Sequence, residues 1–497
     1  MNDLFLGLDV GTTNIKAAVF DLSGKQLAYA SRPNVIHHPQ PEYSEHDAEE
    51  IWQILAADIR DVTAKAGAEG IRGIAASSMA ECGVLLDEGG HPLYPVIAWY
   101  DPRTAEEGKA LETALGARQI YSITGQFLMP LYGICKMMWI KRHHPEIFAK
   151  GKHWLSMQDY VIYRLTGEFA TDYTTAGRTL GFDINKLDWS PEMFAAAGID
   201  PALMSPAYPG GTEVGKVSRG AAEETGLMEG TSVSTGGHDH CCAAVGVNIF
   251  EDGVVLNSMG TAETLMIAMD HPVLNDKTWK NGYCVYPHCG PKLYRALIPN
   301  ASCGVAIEWM FRSFAKDLIL RAEKNGRTKF EEMELESADR DGAGVFFYPF
   351  LRGIHDISGA RGAFLGLRDT TDEGDMINAV VNGLCYETRR QLDHIGRTVN
   401  LSFDKFRVVG GVSKSAYIMQ RKADISEWRV EVPVNREAAC FGAAVLAAVG
   451  AGAAGFGEIG AIYRAAAVYE PQKDSVLAGE NYERYRQYRR WLAKLPE

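Results

Sequence analysis

The stretch Leu6-Gly7-Leu8-Asp9-Val10-Gly11-Thr12-Thr13 has a counterpart about half a chain later, Val255-Leu256-Asn257-Ser258-Met259-Gly260-Thr261-Ala262. In each copy an apolar run meets a polar residue and a Gly-Thr turn, and residues typical of strands follow, at 15–20 and at 264–268. This pattern predicts a β-hairpin instead of the strand-to-helix turn of the usual phosphate loops. The repeat predicts two homologous halves that face each other across a cleft.

The turns of the two hairpins have the chemistry of a phosphate site. Gly11 and Gly260 let the backbone bend sharply and approach a phosphate group, and Thr12, Thr13 and Thr261 offer hydroxyl and amide donors. A single Gly-Thr turn is weak evidence, because most hairpins that carry one bind nothing. Two copies together predict a nucleotide held from opposite sides.

Length and composition limit the class of protein. A chain of 497 residues is too long for one core and predicts two or three domains. Hydrophobic content of 46% and charged content of 23% are ordinary for a globular protein. A net charge of −13 without a sustained basic run argues against nucleic acid or a membrane surface as partners. A neutral substrate or a metal-complexed nucleotide remains as the expected ligand.

Cysteine usage and the N-terminus predict a cytoplasmic location. The nine cysteines are scattered and form no CxxC pair, which argues against a disulfide framework. Met1 leads directly into the first predicted strand, so we expect no signal peptide. Residues 438–457 carry no charge, but their Ala- and Gly-rich composition predicts a closely packed buried helix instead of a membrane span.

The order of the predicted elements restarts at mid-chain. Three strands over residues 5–8, 17–21 and 27–31 precede a helix over 47–63; strands from 253 to 268, at 282–286 and at 294–298 precede a helix over 305–314. We therefore predict one domain over residues 1–249 and a second over residues 250–497. The second is expected to end in a helical tail near 481–495.

Two aspartates are candidates for chemistry. Asp9, at the end of the first strand, is suited to hold Mg²⁺ through water, because a hard cation prefers carboxylate oxygen. Asp239 follows Gly236-Gly237 at the mouth of a strand and is the candidate general base. A zinc site over residues 238–242 is disfavoured because consecutive residues cannot all point at one ion. Lys16 is interpreted as an exposed lysine of an edge strand.

The candidate sugar contacts combine an aromatic ring with acidic acceptors. Carbohydrate pockets pair an aromatic face with groups that accept hydrogen bonds from hydroxyls. The residues with these properties are Glu81, Trp99, Asp101 and Asp159, and His240 lies beside the candidate base.

Taken together, these motifs resemble the FGGY family of carbohydrate kinases, within the actin-like ATPase superfamily, over about residues 4–450. The resemblance rests on the two hairpins, on Gly237-His238-Asp239, and on Gly410-Gly411-Val412-Ser413-Lys414-Ser415 followed by the segment 437–444. It implies an α/β protein of two actin-like, ribonuclease H-like domains with mixed sheets flanked by helices and a cleft between them.

The resemblance also implies roles for individual residues. Asp239 would be the base, Thr261 a contact to the γ-phosphate of ATP and Asp9 a ligand of magnesium-bound water. The nucleotide pocket would include Gly304, Glu308, Gly410, Gly411 and Ser415. The implied reaction is ATP- and Mg²⁺-dependent phosphorylation of a neutral sugar or polyol. A homodimer is a separate prediction.

No subfamily pattern matches throughout. Ala80-Glu81 replaces the Arg-Glu of glycerol kinases and the Met-His of xylulokinases, although Trp99-x-Asp101-x-Arg103 looks like xylulokinases and the segment 93–99 looks like fuculokinases. We predict a ketose such as xylulose as the acceptor, with a fuculose-type deoxyketose or a polyol as alternatives. Other classes also remain open: an actin-like ATP-driven switch, and a sugar sensor without catalysis.

Overall fold

A computed structural model describes residues 3–300, 302–337, 344–354, 357, 359–435, 437–472 and 477–494. Its strands are β1 Leu4–Val10, β2 Asn14–Asp21, β3 Gln26–Pro33, β4 Glu45–His46, β5 Ile71–Ser78, β6 Gly83–Leu86, β7 Val96–Ile97, β8 His153–Ser156, β9 Thr171–Asp172, β10 Phe182–Asp183, β11 Asp188–Trp189, β12 Ala207–Tyr208, β13 Glu213–Lys216, β14 Ser232–His238, β15 Val254–Met259, β16 Glu263–Met269, β17 Cys284–Pro287, β18 Tyr294–Asn300, β19 Phe346–Tyr348, β20 Ala363–Leu365, β21 Lys405–Val409, β22 Arg429–Pro433 and β23 Ala465–Tyr469.

The helices are α1 Ala48–Ala66, α2 Ala105–Leu115, α3 Ala117–Thr124, α4 Gly133–His143, α5 Pro145–Phe148, α6 Met157–Thr166, α7 Tyr173–Gly177, α8 Pro191–Ala197, α9 Arg219–Thr225, α10 Asp239–Gly246, α11 Asp276–Lys280, α12 Gly304–Ser313, α13 Lys316–Lys324, α14 Lys329–Ser337, α15 Glu373–Val399, α16 Ala416–Ser426, α17 Ala438–Gly450, α18 Ile459–Ile462 and α19 Tyr482–Leu492. Among the described residues, no helix combines the length and the apolar character needed to cross a membrane.

The first large sheet has the strand order β13-β14-β5-β1-β2-β3. The predicted hairpin is present, because β1 pairs with β2 in antiparallel register. Strand β1 is parallel to β5, which is parallel to β14, with Val10 opposite Ser78 and Ser78 opposite His238. The carboxyl ends of these three strands therefore meet at one edge, where parallel sheets commonly bind ligands.

The second large sheet repeats this topology in the order β17-β18-β16-β15-β21-β22-β23. Strands β15 and β16 form the second predicted hairpin, and β15 is parallel to β21, which is parallel to β22. Helix α1 follows β1–β3 and the two-residue strand β4, and helix α12 follows β18, so three long strands precede a helix in the first half as the predicted restart requires. The predicted fold of two mixed sheets flanked by helices is confirmed, while the boundary at 249/250 stays a prediction.

Helix α1 shows how one of the flanking helices is built. Asp47 caps its first turn by accepting hydrogen bonds from the N–H groups of Glu49 and Glu50. Ile51, Leu55 and Ile59 recur at helical spacing and are buried against the first sheet. The apolar stripe is what fixes this helix on the sheet.

Each half sends one helix across to the sheet of the other half. Helix α17 follows β22 of the second sheet, yet its Phe441 and Ala444 pack with Phe5 and Phe20 of the first sheet. Helix α10 follows β14 of the first sheet, and its Ala244 lies in one buried cluster with Leu256 of β15 and Met266 of β16. The prediction that the charge-free segment contains a buried helix is confirmed.

The two crossing helices contact each other through glycine. A Cβ atom on Gly442 would lie 1.6 Å from the carbonyl oxygen of Cys242, and one on Gly246 would lie 2.5 Å from that of Ala438. Both distances are far shorter than a van der Waals contact permits. Glycine at these two positions is therefore what lets the backbones of α10 and α17 meet.

The positions of Lys16 and of the C-terminal helix differ in how well the sequence predicted them. The prediction that Lys16 lies on an exposed edge strand is wrong, because β2 pairs with β1 on one side and β3 on the other. The tail helix is present as α19, but Leu495, at the end of the predicted range, lies outside the described residues.

Candidate active site

Asp9 lies at the carboxyl edge of the first sheet, where its surroundings favour a cation. It is 6% exposed and accepts a hydrogen bond of 2.8 Å from the Ser77 hydroxyl at Oδ1. Burial raises the pKa of Asp9 to about 6; the positive charge of Lys16 opposes the rise and the negative charge of Asp239 adds to it. The two carboxyl groups are therefore close enough to repel each other. A hard cation at this position would relieve the repulsion, so the donor set fits Mg²⁺.

Asp239 is the first residue of α10 and keeps one carboxylate oxygen open. Its Oδ1 accepts a hydrogen bond of 2.5 Å from the His240 N–H and lies 3.0 Å from Nε2 of His238. Oδ2 has no hydrogen-bond partner among the described residues, and the side chain is 35% exposed. Burial would raise the pKa of Asp239, but His240 and His238 hold it below its ordinary value. The carboxylate is thus ionised, with one oxygen available to a substrate.

Three consecutive residues around Asp239 lie close enough together to offer ligands to one metal ion, so the sequence argument that consecutive residues cannot do so is wrong. His238, Asp239 and His240 each bring a ligand atom within 4.8 Å of the others, whereas Cys241 lies in a separate buried group with His288 and Cys289. Burial lowers the pKa of His240 to about 4, against the influence of Asp239, so its ring is neutral at pH 7. A neutral ring beside the base can accept or donate a hydrogen bond.

Trp99 connects the predicted sugar site to the first hairpin. Its indole Nε1 donates a hydrogen bond of 3.0 Å to the Thr12 hydroxyl. The ring is 40% exposed and meets Tyr100 edge-on, with 5.4 Å between ring centroids. An exposed aromatic face therefore lies directly beside a threonine of the first predicted phosphate hairpin.

Glu81 is held in a buried polar cluster that sequence reasoning only partly identified. Arg178 bonds Oε1 of Glu81 through Nε, at 2.6 Å, and through Nη2, and it reaches Oε1 of Gln126 at 2.5 Å through Nη1. Burial favours a higher pKa for Glu81, but Arg178 and then His238 bring it below the ordinary value. Glu81 is therefore near enough to His238, the residue before Asp239, for the two to interact electrostatically.

Arg178 and Gln126 were missed because neither belongs to a motif. Arg178 immediately follows the short helix α7, and Gln126 follows α3. Tyr286 of the second sheet adds a wall from the other half: its ring centroid lies 5.2 Å from the guanidinium carbon of Arg178. Only the fold brings these three residues together.

Two predicted sugar contacts have structural partners instead. Asp101 is 2% exposed, accepts the Ser44 N–H at 2.6 Å and holds Arg103 through both oxygens. Asp159 closes the capping box of α6 with Ser156. We therefore leave both carboxylates out of the proposed sugar site.

The second hairpin is joined to α12 by its backbone. The carbonyl of Gly260 accepts the Gly304 N–H at 2.9 Å, and that of Thr261 accepts the Val305 N–H at 3.0 Å. A Cβ atom on Gly304 would lie 2.6 Å from the Gly260 oxygen, so glycine is needed for this approach. The hairpin turn and the start of α12 thus form one surface of exposed backbone.

The segment after β21 completes this surface. Gly410 has φ +97° and packs on strand β15, where a Cβ atom would lie 2.5 Å from the Met259 oxygen. Gly411 faces open space, and Ser415 caps α16. Glu308, farther along α12, is 61% exposed at its side chain and pairs with Lys329 at 2.6 Å. The structure brings Gly260, Gly304 and Gly410 together and leaves Glu308 at the rim.

An ion pair links the second half to the first hairpin. Lys16 of β2 lies 2.7 Å from Glu437, the residue before α17, and 3.6 Å from Asp9. Because β22 leads into α17 as β14 leads into α10, Glu437 is at the carboxyl edge of the second sheet. The carboxyl edges of the two sheets therefore approach each other at this ion pair.

Comparison with known proteins agrees with this architecture. The model of the FGGY family of carbohydrate kinases, N-terminal domain, matches residues 4–246, and that of the C-terminal domain matches residues 255–451. A xylulose kinase of Staphylococcus xylosus is 26% identical over 450 residues, which are 90% of each chain. An L-fuculokinase of Escherichia coli K12 is 28% identical over 452 residues, 90% of this chain and 93% of that protein.

A solved structure extends the similarity to the whole fold. The crystal structure of xylulose kinase from Rhodospirillum rubrum superposes with a TM-score of 0.89 at 26% identity and covers 99% of both chains. The family models together span most of the sequence, including both hairpins and the Asp239 segment. The chain belongs to the FGGY family of carbohydrate kinases.

Proposed function

We propose that Asp239 is the general base of an ATP-dependent sugar kinase whose acceptor is a neutral ketose such as xylulose. The observation that carries this proposal is the open Oδ2 of an ionised carboxylate at the edge shared with the first hairpin. A general base needs a free acceptor within reach of the reacting hydroxyl.

In the proposed reaction the substrate hydroxyl attacks the γ-phosphorus of ATP. Asp239 accepts the hydroxyl proton as the new P–O bond forms, the bond from the γ-phosphorus to the bridging oxygen breaks, and ADP leaves. Hydrogen bonds from the His240 N–H and from His238 to Oδ1 keep the carboxylate oriented. Closure of the halves around both substrates would exclude water as a competing acceptor.

The nucleotide would lie between the two hairpins. Gly11, Thr12 and Thr13 on one side and Gly260 and Thr261 on the other would donate hydrogen bonds to the phosphates. The surface formed by Gly304, Gly410 and Gly411 would receive the adenosine, with Ser415 and Glu308 nearby.

Magnesium is proposed to bind near Asp9. Held through water by this carboxylate, the ion would neutralise charge on the phosphates. Lys16 limits the negative charge of Asp9, since its ammonium lies 3.6 Å from Oδ2.

Charge balance in the sugar pocket favours a neutral substrate. The buried cation Arg178 is already paired with Glu81, so it offers no excess positive charge to a sugar acid. Trp99 supplies a face for the ring or chain of the sugar, and His240 and Glu81 supply hydrogen-bond partners. Similarity to xylulose kinases favours xylulose, and the 28% identity to an L-fuculokinase favours a deoxyketose as the second candidate.

The cellular setting is part of the same proposal. The nine cysteines are free thiols and all are buried, as expected in the reducing cytoplasm. The homodimer stays a prediction, which size-exclusion chromatography with light scattering would test.

The acceptor is tested by an ADP-release assay of the purified protein with Mg-ATP. The panel contains D- and L-xylulose, L-fuculose, ribitol, glycerol and gluconate, each across a range of concentrations. We expect one ketose to give the highest kcat/KM and gluconate to give no stimulation. ADP release that no member of the panel stimulates would refute the proposed acceptor class.

Replacement of Trp99 is expected to weaken sugar binding. Trp99→Ala should raise KM for the sugar about 10-fold, because an aromatic contact of about 1.4 kcal/mol corresponds to that factor. Trp99→Phe keeps a ring but loses the hydrogen bond to Thr12, so its effect should be smaller. Trp491→Ala, at a 53% exposed tryptophan on α19, is the matched control. An unchanged sugar KM in Trp99→Ala would show that the ring lies outside the sugar site.

Breaking the Glu81–Arg178 pair is expected to destabilise the protein. Arg178→Met leaves a buried carboxylate unpaired, which costs about 3–5 kcal/mol of unfolding free energy. The double variant Arg178→Met/Glu81→Gln removes both charges and should regain most of the stability but not the sugar affinity. Urea denaturation and the sugar KM separate these effects. Equal stability of the single and double variants would contradict the ion-pair interpretation.

A further inference from the structure

His238 connects the candidate base to an arginine of the other sheet. Its Nε2 lies 3.0 Å from Oδ1 of Asp239, and its Nδ1 lies 2.9 Å from Nη2 of Arg295. A guanidinium donates hydrogen bonds and cannot accept them, so in this contact Nδ1 is the acceptor, even though, against the effect of burial, Asp239 raises the pKa of His238 to about 9. The ring proton is then on Nε2, where it donates to Asp239. The hydrogen bonds run in one direction, from Arg295 through His238 to the base.

Arg295 is rigidly held for this contact. It is 0% exposed on β18, its guanidinium carbon lies 4.0 Å from the ring centroid of Tyr286, and its Nη1 lies 3.0 Å from the Met266 sulfur. These neighbours belong to β17 and β16, which flank β18 in the second sheet. The guanidinium therefore has little freedom to turn away from His238.

The burial of Arg295 is not explained by a structural ion pair. Among the described residues no carboxylate forms a salt bridge with it, and its Nε has no hydrogen-bond partner. A buried cation without a direct counter-ion is costly to the fold. The nearest acidic group in the hydrogen-bond chain is Asp239, one imidazole away.

We propose that Arg295 and His238 are positioning residues that orient the base, an inference that rests on the proposed role of Asp239. Arg295 fixes the tautomer of His238, and His238 occupies Oδ1 of Asp239. Oδ2 is thereby left to face the substrate hydroxyl. Because Arg295 is on the second sheet and Asp239 follows a strand of the first, the base takes this orientation when the halves have the arrangement seen here.

The test is a double-mutant cycle on full-length protein. Arg295→Met keeps a long side chain with an apolar surface for Tyr286 but removes the guanidinium that donates to His238. His238→Leu removes both ring nitrogens. Each single variant is expected to lower kcat about 100-fold, as misplacement of a catalytic group does, with KM for ATP within about twofold. Because the residues act in series, the double variant should be no worse than either single variant.

Three further comparisons distinguish orientation from general damage. His238→Gln retains a donor and an acceptor and should keep more kcat than His238→Leu. In an Asp239→Asn background, Arg295→Met should have no further effect on kcat. Arg489→Met, at a buried arginine of α19 that pairs with Glu387 of α15, is the structural control and should leave kcat unchanged in the folded fraction.

The inference is overturned if the losses of the single variants multiply in the double variant. It is also overturned if the single variants change KM for ATP instead of kcat. The same holds if Arg295→Met still lowers kcat in the Asp239→Asn background. If Arg295→Met does not fold, the comparison of His238→Leu with His238→Gln decides, and equal kcat values would reject the inference. Full activity of Asp239→Asn alone would reject the proposed base itself, which separates the two failures.

Discussion

Asp239→Asn is expected to lower kcat by about 10²–10⁴-fold, the range that a general base contributes. The amide has nearly the shape of the carboxylate, so Oδ1 keeps its hydrogen bonds from the His240 N–H and His238. The amide cannot accept the hydroxyl proton during attack on phosphorus. KM for ATP should change little, because Asp239 belongs to neither of the two hairpins that we propose to hold the nucleotide. Initial-rate kinetics of ADP release measure both quantities.

Asp239→Glu is the companion variant, since it retains a carboxylate but moves it by one methylene group. Its kcat should lie between those of the wild type and Asp239→Asn. Both variants should melt within a few degrees of the wild type, because the side chain is 35% exposed. A folded Asp239→Asn enzyme with wild-type kcat would remove Asp239 from the reaction.

Gly442→Ala is expected to destabilise the whole protein by about 3 kcal/mol or more, at or above the upper end of the range for overpacked sites. The added Cβ would lie 1.6 Å from the backbone oxygen of Cys242, which cannot move without separating α10 from α17. Because these helices carry the contacts between the halves, the melting temperature and the activity should both fall. Asp239 is the first residue of α10, so a shift of this helix also displaces the base.

Gly220→Ala is the matched control for this substitution. Gly220 lies in helix α9, where a Cβ atom would meet nothing within 4 Å. Replacing an unconstrained helical glycine by alanine stabilises a helix by roughly 0.5–1 kcal/mol. Thermal and urea unfolding of both variants give the comparison. Equal stability of Gly442→Ala and the wild type would show that the helices do not cross as closely as described.

Local patterns were sufficient to predict the two hairpins on which the proposed phosphate site depends. Each hairpin is encoded by an apolar run, a Gly-Thr turn and a second run of strand residues, which are neighbours in sequence. The buried helix α17 follows from a charge-free Ala- and Gly-rich segment. The repeat of these patterns in two halves predicted two sheets of similar topology, although it did not reveal that α10 and α17 exchange sheets.

Predictions failed or were incomplete where a role depends on distant partners. Lys16 was correctly placed in a strand, but its position inside the sheet is set by pairing with β3. Asp101 has the right chemistry for a sugar contact, yet Ser44 and Arg103 occupy its oxygens. Arg178 and Arg295 belong to no motif, and only the fold brings them beside Glu81 and His238.

The most direct measurement is ³¹P NMR of the purified protein with Mg-ATP and D-xylulose, with L-fuculose in a parallel sample. The proposed function predicts a growing phosphomonoester resonance of the sugar that equals the ADP formed, and its disappearance in Asp239→Asn. Inorganic phosphate as the sole product, formed at the same rate with and without sugar, would contradict phosphoryl transfer to a sugar and indicate an ATP-hydrolysing switch.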